Sequence, residues 1–268
     1  MNIVYCTMGN KKYMEIAKLC INSILKTGYK GDFLFITDER TEIENSLNID
    51  NKIHFMETEE TNLMASSANK LKIHKWEHAQ EYDKFIFTDL DILWFINPDI
   101  IFDKIKENKI YFSQHENQGS ITEADYGGNL LDKKEKEIYK DTQGINAGFF
   151  CFNKDQLTHF DAMEKYLNDN FDKRNGCLEQ PYINVYCTKH NLIDVSLNEF
   201  VSHNSGNSLY SLGDYSHLTK EEYEYWGFTQ PELKPIVHFP GGPGSADYKY
   251  NSMIKFLGES KKWGLDNT

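Results

Sequence analysis

Short apolar runs recur along this chain, spaced by longer segments of helical period. Eight of them read as strands: "NIVYCTM", "DFLFIT", "KIHFME", "KFIFTDLD", "KIYFSQH", "AGFFCFN", "NLIDVS" and "KPIVHFP". Between the first two, Tyr13, Ile16, Cys20 and Ile24 recur at three- and four-residue steps, giving one apolar helix face that ends before Gly28. Strand, amphipathic helix, strand is a βαβ opening, and its continuation predicts an α/β fold with helices covering both faces of a sheet. Residues 65–80 have the pattern of a second helix leading into the fourth run. Pro98 stops that run on its far side and begins a short helix through Lys106. Residues 155–171 read as a surface helix and 178–188 as a more apolar one. Residues 202–217, "SHNSGNSLYSLGDYSH", lack periodicity and predict a long loop, a feature that often carries function in compact domains. No repeat, composition break or linker divides the chain. One domain over residues 1–264 is expected, with 265–268 as a frayed tail.

Composition narrows the function. Of 268 residues, 40% are hydrophobic and 14% aromatic, enough apolar surface to offset the entropy of folding and to exclude a disordered chain. A net charge of −12 argues against a nucleic-acid surface, and it requires that a phosphate-bearing ligand be held by local lysines, arginines or a metal ion. The opening "MNIVYCTMGN" has no basic segment followed by an apolar core and cleavage site, and no stretch reaches membrane-spanning length. A soluble, cytoplasmic protein is expected. Five dispersed cysteines, Cys6, Cys20, Cys151, Cys177 and Cys187, suit reduced core thiols better than a disulfide or zinc framework.

Candidate chemistry begins where "KFIFTDLD" ends a buried run on two carboxylates, Asp89 and Asp91. Ligands in open α/β sheets collect beyond the carboxyl ends of strands. Side chains two residues apart point the same way if the strand continues through both. Like charges so placed are tolerated beside a divalent cation, and carboxylate oxygens suit Mn2+ or Mg2+. The competing reading makes one aspartate a turn cap and the other a solvated charge. In "INAGFF", Asn146 offers a donor and an acceptor to a polar ligand, and Gly148 permits close backbone approach; alternatively the segment is a strand start with a packing position. In "IVHFPGG", a neutral His238 at a strand end suits completion of a coordination set, or is a partly buried, hydrogen-bonded histidine.

Four ordered stretches carry a resemblance. "YDKFIFTDLDILWFINPD" resembles the metal-site strand of GT-A glycosyltransferases. "INAGFFCFN" (145–153) resembles the Asn-Ala/Ser-Gly segment that lines the donor sugar in glycosyltransferase family eight. "LEQPYIN" (178–184) resembles that family's Asp-Gln-x-x-x-Asn segment, with Glu179 replacing the acid, and "IVHFPGG" (236–242) its His-x-x-Gly segment. With the βαβ opening, the likeness spans residues 2–257.

This resemblance implies a GT-A, Rossmann-like nucleotide-diphospho-sugar transferase fold, with a mostly parallel central sheet flanked by helices. It implies a metal-dependent glycosyltransferase that moves a hexose from a nucleotide sugar, a UDP-hexose, to a glycan or other hydroxyl acceptor with retention of configuration. By carry-over, Asp89, Asp91 and His238 hold Mn2+ or Mg2+. Asp89, Asn146, Ala147, Gly148 and Gly241 meet the donor, and Gln180 lies near the anomeric carbon opposite the leaving group, with Glu179 the nearest carboxylate.

Two departures leave alternatives open. The family's diphosphate lysine is replaced by Gly244, so Lys249 or the backbone N–H groups of residues 241–245 take that task. "CTMGNKKY" stands where an acidic-Asn-Tyr turn contacts the base, which leaves Thr7 and Tyr13 as base contacts; Lys70 matches a basic residue near the nucleotide. The rivals are an inverting enzyme with Glu179 or Asp125 as base, and a nucleotide-sugar-binding module without turnover. A nucleotidyltransferase would want a Gly-rich phosphate loop after the first strand, where only Gly9 stands. Residues 115–129 and the 202–217 loop read either as the acceptor side of a cleft or as solvated surface.

Overall fold

The computed structural model describes residues 1–47, 49–59, 67–106, 108–114, 118–173, 178–203, 234–240 and 246–259. Seven strands form the main sheet: β1 (Asn2–Met8), β2 (Asp32–Thr37), β3 (Ile53–Glu57), β4 (Lys84–Thr88), β6 (Ile110–Ser113), β7 (Asn146–Asn153) and β8 (Ile193–Asp194). Their order is β3-β2-β1-β4-β7-β6-β8. Every pairing is parallel except those of β7, which runs antiparallel to both β4 and β6. A second sheet of three strands has the order β5 (Ile92–Trp94), β10 (Ile236–His238), β9 (Val201–His203). The described α-helices are α1 (Met14–Lys26), α2 (Arg40–Ser46), α3 (Pro98–Lys104), α4 (Lys133–Ile138), α5 (Leu157–Asp169), α6 (Gln180–Lys189) and α7 (Ala246–Glu259).

The central strands read as continuous apolar runs because both of their faces are buried. Along β1, Val4, Cys6 and Met8 join one core with Ile16, Ala17, Cys20 and Ile24 of α1, while Ile3 and Tyr5 join the other. Across the β4–β7 pair, Phe85 stacks on Phe152 at 5.0 Å and Phe87 on Phe150 at 4.8 Å between ring centroids. Such cross-strand aromatic pairs fix register as well as burying area. Cys6, Cys20, Cys151 and Cys187 are buried free thiols, while Cys177 lies outside the described residues. Among the described residues, no helix is long and apolar enough to cross a membrane.

Three expectations need correction. The expected helix over 65–80 is not continued past Ala68: Ser67 and Ala68 are helical, Asn69–Lys75 and Ala79–Glu81 are 3-10 turns, and residues 65–66 lie outside the described residues. Asn69, Lys70, Leu71 and Ile73 are all buried, a set too wide for one helix face and met by a tighter winding. The run "KFIFTDLD" is not one strand through both aspartates. β4 ends at Thr88, and Asp89–Asp91 turn the chain into β5 of the second sheet. The expected loop at 202–217 begins in a strand, since Ser202 and His203 belong to β9 and pair with β10; residues 204–217 lie outside the described set, as do 115–117 and 265–268.

Candidate functional site

The turn at Asp89–Asp91 is held from three sides. Asp89 N–H donates to the Gly148 carbonyl at 2.7 Å, which docks the turn on the start of β7. Phe239 N–H donates to the Asp91 carbonyl at 2.9 Å, and the antiparallel β5–β10 pair sets His238 opposite Ile92. From α1, Ser23 Oγ accepts the Trp94 N–H at 2.9 Å and fixes β5. Strand pairing, not side-chain alternation along one strand, therefore brings His238 beside the two aspartates. One ligand atom from each of Asp89, Asp91 and His238 can be chosen so that all lie within 4.8 Å of one another.

These three residues lie in a cleft of about 450 Å3 lined also by Thr7, Tyr13, Lys70, Asn146, Ala147, Gly148, Glu179, Gln180 and Lys249. Every described donor or metal candidate therefore meets at one place, beyond the carboxyl ends of β1 and β4. Gly241 lies outside the described residues. Asp125 is not among the lining residues; its side chain is exposed, and its carbonyl accepts a 3.4 Å hydrogen bond from Gln180 Nε2.

Charge in the cleft is tightly arranged. Lys70 is buried, with its ammonium 2.7 Å from Glu179, 3.3 Å from Asp89 and 3.1 Å from the Ala147 carbonyl. Burial works to lower its pKa, but Asp89 and Glu179 outweigh that and raise it above the ordinary lysine value. Asp91 is also buried, and burial opposes its charge; Lys249, joined to Asp91 Oδ2, and His238 overcome this and hold it below the usual carboxylate range. For Asp89, burial foremost pushes the pKa up, with Lys70 opposing and Asp91 adding to the rise.

The donor set fits a divalent metal. Two hard carboxylates and an imidazole suit Mn2+ or Mg2+. Asp91 Oδ1 is buried without a hydrogen-bond partner, although it lies 3.3 Å from His238 Nε2. Gly148 leaves the room this needs, for a Cβ there would lie 2.8 Å from both Asp89 Oδ2 and His238 Nε2 and closer still to His238 Cε1. Gly148→Ala is accordingly expected to cost about 1–3 kcal/mol of stability through overpacking and to weaken Mn2+ binding. Thermal melts with and without Mn2+ check both effects.

Gln180 opens α6, and its Oε1 accepts the Ala147 N–H at 3.2 Å. Three residues of one motif thereby acquire different tasks. Gln180 faces the cleft, Glu179 neutralises Lys70, and the buried Asn184 accepts the Ile145 N–H at 2.8 Å while donating to the Ile145 and Gln180 carbonyls at 3.0 Å each. Asn184 ties α6 to the start of β7. Its part was missed in sequence, where only its place in a motif was visible. The helix that carries Lys249 was missed as well, although Ala246, Tyr250, Met253 and Leu257 recur at three- and four-residue steps.

No family model and no curated protein matches the chain. Among solved structures, the chain is similar to the galactosyltransferase LgtC, in complex with donor and acceptor sugar analogues, at a TM-score of 0.61 and 14% identity over 97% of this chain and 96% of that one. It is similar to apo mouse xyloside xylosyltransferase 1 at a TM-score of 0.53 and 14% identity, covering 91% and 99% of the two chains. It is also similar to the apo WbbM bifunctional glycosyltransferase at a TM-score of 0.57 and 12% identity, over 100% of this chain and 52% of that one. The chain has the GT-A glycosyltransferase fold.

Proposed function

We propose that this protein is a metal-dependent glycosyltransferase that moves a hexose from a nucleotide sugar, a UDP-sugar, to a glycan or other hydroxyl acceptor with retention. The convergence of Asp89, Asp91 and His238 in a cleft shared with Asn146, Gly148 and Gln180 supports the reading most directly. The LgtC complex with donor and acceptor sugar analogues supports the same substrate classes. Asp89, Asp91 and His238 would hold the metal, which supplies Lewis-acid stabilisation of negative charge on the leaving diphosphate.

The chain's own residues account for the rest. Thr7 and Tyr13 flank the end of the cleft at β1 and would meet the base. Asn146, Ala147 and Gly148 would border the sugar, with the Asn146 carboxamide oxygen already committed to the Gly148 N–H at 2.8 Å. In front-face transfer, the bond from the anomeric carbon to the phosphate oxygen breaks while the acceptor oxygen bonds on the same face. The acceptor proton passes to the departing phosphate oxygen. A neutral glutamine is a poor nucleophile, so the role assigned to Gln180 is to steady positive charge at the anomeric centre. Glu179, paired with Lys70, is buried and committed as a counter-ion, which favours this route over a covalent one through its carboxylate.

The test is transfer assayed with a panel of nucleotide sugars and simple glycan acceptors, with Mn2+ or EDTA, and product NMR. An α-linked donor is expected to give an α-linked product only with metal present, and Gln180→Ala to slow transfer without abolishing it. A β-linked product would discard retention and promote Glu179 or Asp125 to base. Donor binding without any turnover, with every acceptor and with water, would leave a binding module.

A further inference from the structure

Three carboxylates, Asp89, Asp91 and Glu179, face two ammonium groups, Lys70 and Lys249, in the cleft. The two lysines are engaged differently. Lys70 is 2% exposed and is shared by Asp89 and Glu179, with a further bond to the Ala147 carbonyl. Lys249, whose side chain is 25% exposed, is joined to Asp91 Oδ2 from the first turn of α7. The other oxygen of Asp91 has no hydrogen-bond partner. Lys249 thus sits on a carboxylate that the proposed metal site also needs, and it is the more exposed of the two lysines.

We propose that Lys249 is the internal counter-ion of Asp91 in the donor-free protein, and that a divalent metal displaces it. Metal entry and release of Lys249 toward the donor's diphosphate are then one event. The inference rests on the metal-dependent reading above. Charge balance favours the exchange. With a divalent ion present, the ion and Lys70 together neutralise the three carboxylates, and the Lys249 ammonium becomes surplus to them. It is then available to a diphosphate, a ligand that brings its own negative charge. An ammonium on a four-carbon stem is suited to such a change of partner, since it acts as a point charge with rotatable donors. Glu179, held by Lys70, stays out of the exchange.

Two consequences oppose each other in sign. Lys249 competes with metal in the absence of nucleotide, yet assists the nucleotide once metal is bound. The experiment is calorimetric titration of Mn2+ into the wild-type protein, Lys249→Gln and Lys249→Arg without nucleotide, followed by UDP into each protein at saturating Mn2+. Circular dichroism melts establish that all three are folded. Lys249→Gln is expected to bind Mn2+ about tenfold more tightly than the wild type and UDP about tenfold more weakly, the scale of one charge-assisted contact. Lys249→Arg, which keeps the charge, should stay near the wild type in Mn2+ affinity. If the wild type binds Mn2+ and Lys249→Gln binds it equally or less tightly, the exchange is overturned while the metal site stands. If no protein binds Mn2+, with or without UDP, the metal site itself fails, and the exchange with it.

Discussion

Asp91→Asn is expected to lower metal-dependent transfer by about a hundred- to ten-thousand-fold, the factor that corresponds to several kcal/mol of charge stabilisation. The aspartate is 4% exposed, and the Phe239 N–H bond to its carbonyl and the β5–β10 pairing that follows fix its place. An amide of the same shape keeps one oxygen but loses the charge, and it turns an NH2 group toward either Lys249 or His238. Toward the Lys249 ammonium the new contact is repulsive where the old one was attractive. The fold is expected to persist, because the apolar neighbours of the turn, Ile92, Leu93 and Trp94, are unchanged and fully buried. Kinetics over a Mn2+ series and circular dichroism separate the two effects. Near-native turnover of both Asp91→Asn and His238→Ala in EDTA would remove the metal assignment.

The legibility of this site follows from what each residue depends on. Among the eight apolar runs, the central strands of the main sheet were the most readable, because strands with two buried faces need nothing beyond local composition, as Phe85, Ile86 and Phe87 of β4 illustrate. The helix boundary at Pro98 was readable for the same local reason: Asn97 caps the Asp99 N–H at 2.9 Å, and proline takes the first turn. The stretch over 65–80 was misread because its apolar spacing admits an α-helix, while the inward turn of a lysine depends on Glu179 more than a hundred positions away. The orientation of Asp89 and Asp91 also escaped alternation. It is fixed by Gly148 and Phe239, partners that only the folded sheet supplies. The described residues singled out by motif line one cleft; the pairings among them, Lys70 with Glu179 and Lys249 with Asp91, were not written in any spacing.

Lys70→Met is expected to destabilise the folded protein by about 3–5 kcal/mol at neutral pH, the cost of leaving a buried charge without its partner. Methionine fills the space of the stem beside Phe87, whose ring centroid is 4.5 Å from the ammonium, so most of the loss is electrostatic. The pH dependence separates this from packing. In the wild type the Lys70 pKa is raised, so its contribution is fully present below the ordinary lysine value and is lost only as pH climbs through the higher folded value. Across the neutral and acid range the wild type therefore loses nothing through this lysine. In the variant the sign reverses: a buried carboxylate stripped of its counter-ion favours its protonated form, so the folded state binds protons more readily than the unfolded one. The deficit should then shrink as pH falls from about 8 to about 5, toward the carboxylate range. Adding Glu179→Gln to Lys70→Met should recover much of the loss at neutral pH, since it removes the charge left unpaired in the cleft. Urea unfolding of the two variants and the wild type at several pH values checks the cycle. A deficit below about 1 kcal/mol that does not change with pH would place the pair among weak ion pairs and leave the start of α6 to be held by the hydrogen bonds of Gln180 and Asn184.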